Sequence, residues 1–339
     1  MIAITGSNGK TTVTTLTGYL LQSLDLDVML AGNIGEPILD AYLRYITKNI
    51  VPDVVVLELS SFQLEVTYSL KLNVATVLNI SEDHLDRYRN LLEYSYIKDN
   101  IFNNSLIQIL NHDDILVRSM LRKTQQQLYF SITKPHYINQ NAPYYYLLLE
   151  NNEYYLMIND KKFVACNDMH LVGIHNYLNS LVSLALLSSI DIAIDTDLIK
   201  QKLLMFNGVA HRMQKIATHN NIIFIEDSKG TNVGAVVAGV SGLTMPVNLI
   251  LGGDGKGQDF NGLIELIDKK CRSVAIIGAD ADKIYAALLP TNLNLQGKIQ
   301  LFKTLDEAVY YCYNNAMSGD YVVLSPACAS WDMFDRSEE

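Results

Sequence analysis

The sequence predicts an α/β protein in two domains. The first has a mostly parallel sheet plus a small antiparallel sheet, and the second a Rossmann-like α/β arrangement. Three observations carry this. Short apolar runs recur along the chain and end at polar or glycine-rich loops, the pattern of strands buried on both faces. Segments of helical spacing lie between them, so crossovers join parallel strands. The length of 339 residues suffices for two separate cores.

Taken in order, residues 2–4 form a strand that runs into a glycine-containing turn, and residues 12–24 form the helix beyond it. Residues 54–57 and 75–80 are two further strands suited to a buried parallel sheet. Residues 127–164, rich in Tyr, Leu, Ile and Asn, predict several short antiparallel strands, with Tyr144, Tyr145 and Tyr146 as strand packing. A helical, largely apolar pattern resumes over residues 178–189. Residues 222–225, 247–251, 274–277 and 321–324 then form the strands of the second unit, ending at Glu226-Asp227, Gly252-Gly253-Asp254, Gly278 and Ser325-Pro326. The boundary falls near Gly208, giving domains over 1–208 and 209–339.

Composition narrows the function. A net charge of −10 and the lack of a basic run disfavour a nucleic-acid or anionic-membrane partner. No secretory signal or bilayer-length apolar run is visible. The four cysteines, Cys166, Cys271, Cys312 and Cys328, have no C-x-x-C spacing, so zinc and redox motifs are unsupported. A reducing cytoplasm is the expected compartment.

The richest chemistry lies at the first turn, Gly6-Ser7-Asn8-Gly9-Lys10-Thr11-Thr12. A glycine turn between strand and helix presents backbone N–H groups to phosphate at the positive helix end. Lys10 can reach the β- and γ-phosphates and the Thr11 hydroxyl a Mg²⁺ ion. The general expression has a first glycine where Ile4 stands, so the motif is read from its context; the plain alternative is a glycine turn with a surface lysine. Glu58 ends an apolar strand, where a carboxylate suits Mg²⁺ or a helix N-terminus. Residues 81–88 crowd ionisable groups after another strand, and His84 is either a metal ligand or structural. Asp227-Ser228-Lys229-Gly230-Thr231-Asn232 fits a ribose or a small anion, with Asp227 as a helix N-cap the plain alternative. In Gly252-Gly253-Asp254-Gly255-Lys256-Gly257 one lysine among four glycines suits an anionic substrate or a simple turn.

Together these strings resemble the Mur ligase family. The segments that carry the resemblance include Gly32-Asn33-Ile34-Gly35, Leu57-Glu58-Leu59-Ser60-Ser61-Phe62-Gln63, Asp83-His84-Leu85-Asp86-Arg87-Tyr88, His175-Asn176-Tyr177-Leu178-Asn179, His211-Arg212 and Leu324-Ser325-Pro326-Ala327-Cys328-Ala329-Ser330, besides the loops above. They occur in family order over nearly the whole chain. The strings around Ser60 and Asp227 are similar to those of the members that add D-glutamate.

The resemblance implies an ATP-dependent, ADP-forming amide ligase of peptidoglycan precursor synthesis. It would join D-glutamate to UDP-N-acetylmuramoyl-L-alanine through an acyl phosphate. It implies ATP at Gly6, Ser7, Asn8, Gly9, Lys10, Thr11, Thr12, Asn176, Asn179, Arg212 and Asp227. Two Mg²⁺ ions would be held by Thr11, Glu58, His84 and a carbamylated Lys98. Lys10, Asn33, His84 and Lys98 would serve catalysis, with Asn33 near the muramoyl substrate. Ser60, Lys229, Thr231, Lys256, Ser330 and Trp331 would contact substrate. A monomer is expected. Gly230 stands where the family pattern has alanine, a change expected to be mild. The family's N-terminal UDP-binding domain has no counterpart here and the C-terminal end departs from the pattern, so the expectation is a truncated form that binds Mg²⁺-ATP and turns over slowly. Two other readings are a folylpolyglutamate synthase-like ligase and an ATP-binding fragment without activity.

Overall fold

A computed structural model describes residues 1–81, 87–135, 142–289 and 297–330. Two compact units divide the chain: Met1–His170 with Asn176–Phe206, and Leu171–His175 with Asn207–Glu339.

Among its described residues the first unit has nine strands: β1 (Ile2–Thr5), β2 (Val28–Gly32), β3 (Val54–Glu58), β4 (Leu72–Val77), β5 (Ser105–Asn111), β6 (Gln126–Ser131), β7 (Tyr144–Glu150), β8 (Glu153–Ile158) and β9 (Lys161–Ala165). Their order in one sheet is β2-β3-β1-β4-β5-β6-β7-β8-β9. All four residues of β1 are buried, so helices cover both faces there. The chain leaves β1 toward β2 and β3 and returns on its other side as β4, pairing Ile4 with both Glu58 and Thr76. Such a reversal opens a crevice beyond the carboxyl ends of the strands.

Antiparallel pairing is found over β7, β8 and β9. The strand before them differs from expectation: β6 is parallel to both neighbours, and the hairpins prolong the main sheet. The reason is the crossover through the helix Ile115–Ser119, which returns the chain in the direction of β5. The helix Ile174–Ser188 starts earlier than the apolar pattern indicates, because its first turns bury the polar Asn176, Asn179 and Ser180.

The second unit has β10 (Gln214–His219), β11 (Ile222–Glu226), β12 (Val247–Gly252), β13 (Cys271–Ile277), β14 (Ile299–Leu301) and β15 (Tyr321–Leu324), in the order β10-β11-β15-β12-β13-β14. Among the described residues these strands pair in parallel except at the β10–β11 hairpin, whose turn is formed by Asn220 and Asn221, both at positive φ. Side chains alternate across this sheet. Leu249, Leu251, Val274, Ile276 and Val323 enter one core, and Ile250, Ala275, Ile277 and Val322 the other. All four cysteines are buried. Among the described residues no helix is long and apolar enough to cross a membrane.

Candidate functional site

The loop after β1 is held open by its partners. Gly9 has φ 86°, and a Cβ on it would lie 2.6 Å from Asn179 Oδ1. Only glycine meets both conditions. The helix Lys10–Gln22 begins there with no side-chain cap, leaving its N-terminal end to a ligand. Ser7 and Asn8 are stitched to the segment after β4. Ser7 N–H donates to the Asn79 carbonyl at 2.9 Å and Asn8 N–H to Asn79 Oδ1 at 2.8 Å. The Ser7 hydroxyl donates to the Ser81 carbonyl at 3.0 Å and accepts from Ser81 N–H at 2.9 Å. Lys10 Nζ curls back on its own loop, donating to the Gly6 and Ser7 carbonyls at 2.7 and 2.9 Å. Thr11 is half-buried and Thr12 buried in the first helical turn.

Glu58 stands beside this loop, 1 % exposed at the end of β3. One carboxylate oxygen, Oε1, accepts from Asn33 Nδ2 at 3.0 Å; Oε2 is buried without a hydrogen-bond partner among the described residues. The helix-terminus reading therefore does not account for Glu58. Asn33 is set by Gly32, whose φ of 115° and close approach to the Glu58 carbonyl leave no room for a Cβ. Lys98 enters the same region from the helix Leu91–Asp99. It is 1 % exposed, with Nζ 3.3 Å from Thr5 Oγ1 and 4.6 Å from the Tyr94 ring centroid. Thr5 in turn donates to the Leu59 carbonyl at 2.7 Å, linking Lys98 to the exit of β3.

Ser60 has a local role: it caps the helix Ser61–Glu65 in a reciprocal capping box with Gln63. Asn176 and Asn179 lie one turn apart, both buried, with Asn179 Nδ2 3.4 Å from Asn176 Oδ1. His84 lies outside the described residues, as does Trp331. Arg87 makes a two-point pair with Glu65 at 2.6 and 3.2 Å. Among the described residues no cluster of three His, Cys, Asp or Glu is arranged to hold a metal.

In the second unit the loops after β11, β12 and β15 are braided together. Ala327 N–H donates to the Gly230 carbonyl, Gln258 Nε2 to the Ala327 carbonyl, and Asp254 and Ala329 exchange backbone bonds at 2.8 and 2.9 Å. This braid brings Lys229, Thr231, Lys256 and Ser330 onto neighbouring loops; the first three are exposed and Ser330 is half-buried. Asp227 lies at its base, 6 % exposed. Its Oδ1 accepts from Met213 N–H at 3.0 Å and its Oδ2 from the Ser325 hydroxyl at 2.6 Å. The N-cap of the following helix, Val233–Ser241, is Asn232, not Asp227. Burial pushes the Asp227 carboxyl up to about 6, against the hydrogen bonds from Ser325 and Met213 and the charge of Arg212.

Sequence reasoning gave no positioning role to Asn79, Ser81, Thr5 and Ser325, which hold the loops. Polar residues immediately after apolar runs are the signal that singles them out, because strand ends carry the site in such sheets.

Comparison with known proteins places these features. The model of the Mur ligase middle domain matches residues 4–187, and that of the Mur ligase glutamate ligase domain residues 211–328. The chain belongs to the Mur ligase family. A relative from Chromobacterium violaceum, named UDP-N-acetylmuramoylalanine–D-glutamate ligase, is 47% identical over 98% of this chain and 71% of its own length. One of the same name from Haemophilus influenzae is 40% identical over 100% of this chain and 73% of its own. Among solved structures, a UDP-N-acetylmuramoyl-L-alanyl-D-glutamate–2,6-diaminopimelate ligase aligns with a TM-score of 0.66 at 21% identity, covering 95% of this chain and 72% of that one. A bifunctional folylpolyglutamate synthase/dihydrofolate synthase from Yersinia pestis aligns at 0.64 with 14% identity, covering 96% and 86%. The fold is common to both; ATP use follows from the Mur ligase family.

Proposed function

We propose that this Mur ligase adds D-glutamate to UDP-N-acetylmuramoyl-L-alanine at the expense of ATP. The observation that carries the reading is 40–47% identity across nearly the whole chain to ligases named for that reaction. A carboxylate oxygen of the alanyl end attacks the γ-phosphorus, and the bond to the ADP oxygen breaks. The acyl phosphate so formed has a good leaving group where the carboxylate had none. The neutral amine of D-glutamate then attacks the carbonyl carbon, loses a proton, and inorganic phosphate departs.

In the first unit, the backbone of residues 6–9, the uncapped helix end and Lys10 receive the phosphates, with Asn176 and Asn179 as further nucleotide contacts. The unsatisfied Glu58 Oε2 fits a divalent cation, since a buried carboxylate oxygen lacking any donor is a hard ligand awaiting a partner. Glu58 and Thr11 would hold Mg²⁺, and Lys98, carbamylated, would be a ligand of a second ion with His84. Bound there, Mg²⁺ supplies charge neutralisation for the phosphates. Asn33 orients Glu58 and serves the muramoyl substrate, together with Ser60. In the second unit, Arg212 and Asp227 serve the nucleotide, and Lys229, Thr231, Lys256, Ser330 and Trp331 the two carboxylates and amine of D-glutamate. We place the reaction in the cytoplasm, with the chain a monomer.

Carbamylation is tested with carbon-13-labelled bicarbonate, which should give a carbamate resonance that Lys98→Ala abolishes; its absence removes that ligand from the reading. The reaction is tested by phosphate release with D- or L-glutamate. Release with L-glutamate and a folate instead would establish the folylpolyglutamate synthase-like alternative.

A further inference from the structure

The turn that carries Arg212 is strained and tied down on both sides. His211 and Met213 have φ of 65° and 44°, in the left-handed region that residues other than glycine rarely occupy. Such a conformation persists only where the surroundings over-determine it. Here they do. His211 Nδ1 lies 2.9 Å from Glu226 Oε2, and Glu226 Oε1 accepts from Ser228 N–H at 2.7 Å. The His211 carbonyl accepts from Lys229 N–H at 3.2 Å. Met213 N–H donates to Asp227 Oδ1, whose other oxygen is held by Ser325. Gly230 completes the packing: a Cβ there would lie 2.5 Å from Asp227 Oδ2 and 2.7 Å from Ser325 Oγ. Arg212 itself is exposed, and its guanidinium makes no hydrogen bond to any described residue.

We propose that Glu226 and Asp227 are positioning residues that clamp the His211–Met213 turn so that Arg212 is fixed to receive a phosphate oxyanion. The clamp rests on the reading of Arg212 as a nucleotide contact. An exposed arginine on an ordinary loop would lose its rotamer and backbone freedom on binding; here the backbone share is already lost in folding. The Lys229 N–H bond to His211 ties the loop of Lys229 to the same turn.

The test is a set of titrations of the full chain with Mg²⁺ and a fluorescent ATP analogue. Arg212→Ala should weaken binding about tenfold, the loss of one charged hydrogen-bonded contact. Glu226→Ala should weaken it about threefold or more in the parent chain and not at all in the Arg212→Ala background, since it acts through Arg212. Glu226→Gln, which keeps an acceptor for Ser228 N–H, should recover part of the loss. Equal losses from Glu226→Ala in both backgrounds, or none in either, overturn the clamp. No effect of Arg212→Ala itself overturns the nucleotide reading of that arginine instead. Thermal unfolding of each variant identifies any that fail to fold, and His211→Ala, which removes the ring that reaches Glu226, then replaces Glu226→Ala with the same expected background dependence.

Discussion

Asn33 and Glu58 are joined twice: the Asn33 backbone N–H donates to the Glu58 carbonyl at 2.8 Å and its side-chain amide to Glu58 Oε1 at 3.0 Å. The pair fixes the carboxylate while Oε2 stays without a partner. Replacing Glu58 by Gln removes a buried charge and keeps an acceptor for Asn33. The expected outcome is unchanged or higher thermal stability of the ligand-free protein, with turnover lowered about 100-fold. Paired thermal unfolding and phosphate-release assays check this. A large loss of stability would show that Glu58 is a structural carboxylate.

Gly9→Ala should destabilise the protein by about 1–3 kcal/mol, since it forces a side chain into a positive-φ conformation against Asn179. Nucleotide binding should fall further than stability, because the same shift disturbs the helix end that receives phosphate. Denaturant titration beside nucleotide titration separates the two effects. Loss of stability with intact binding would count against the loop as the phosphate site.

Asp227 gives a signed pH dependence. Its folded value of about 6 lies above the ordinary 3.8, so the native state binds more protons than the unfolded chain between those values. Its contribution is full below about pH 4 and lost as pH rises to about 6, a change of about 3 kcal/mol. Asp227→Asn should therefore gain stability relative to the parent as pH rises through that window. A constant difference from pH 4 to 7 would contradict the buried-carboxylate account.

His175 works in the opposite sense. Both ring nitrogens are buried without hydrogen-bond partners among the described residues, though the residue keeps some exposed surface. Burial lowers its value from 6.5 to about 4. Its neutral form supports the fold above about pH 6.5, and that support, about 3 kcal/mol, is lost as pH falls toward 4. His175→Phe should flatten the acid limb of stability, which in the parent is partly masked by Asp227. An acid limb identical in variant and parent would rule this out.

The sheets were legible because their central strands are buried on both faces: residues 321–324 and 222–225 stand out as apolar runs, and β15 and β11 match them closely. β10 was not, since most of its side chains are exposed and its sequence lacks an apolar run. The direction of β6 depends on a crossover helix of five residues, too short for a periodic signal. At the candidate site the loop glycines, Lys10 and Glu58 were readable as residue types that the chemistry demands. Ser325 and Asn79 were not, because their contribution is to hold other loops, which only the three-dimensional braid reveals.

The most direct test of the account is phosphate release from Mg²⁺-ATP and UDP-N-acetylmuramoyl-L-alanine, measured with D-glutamate, L-glutamate or neither. Release should require the D isomer and disappear in Lys10→Ala. Release that is indifferent to the amino acid, or that no addition of D-glutamate elicits, would contradict it.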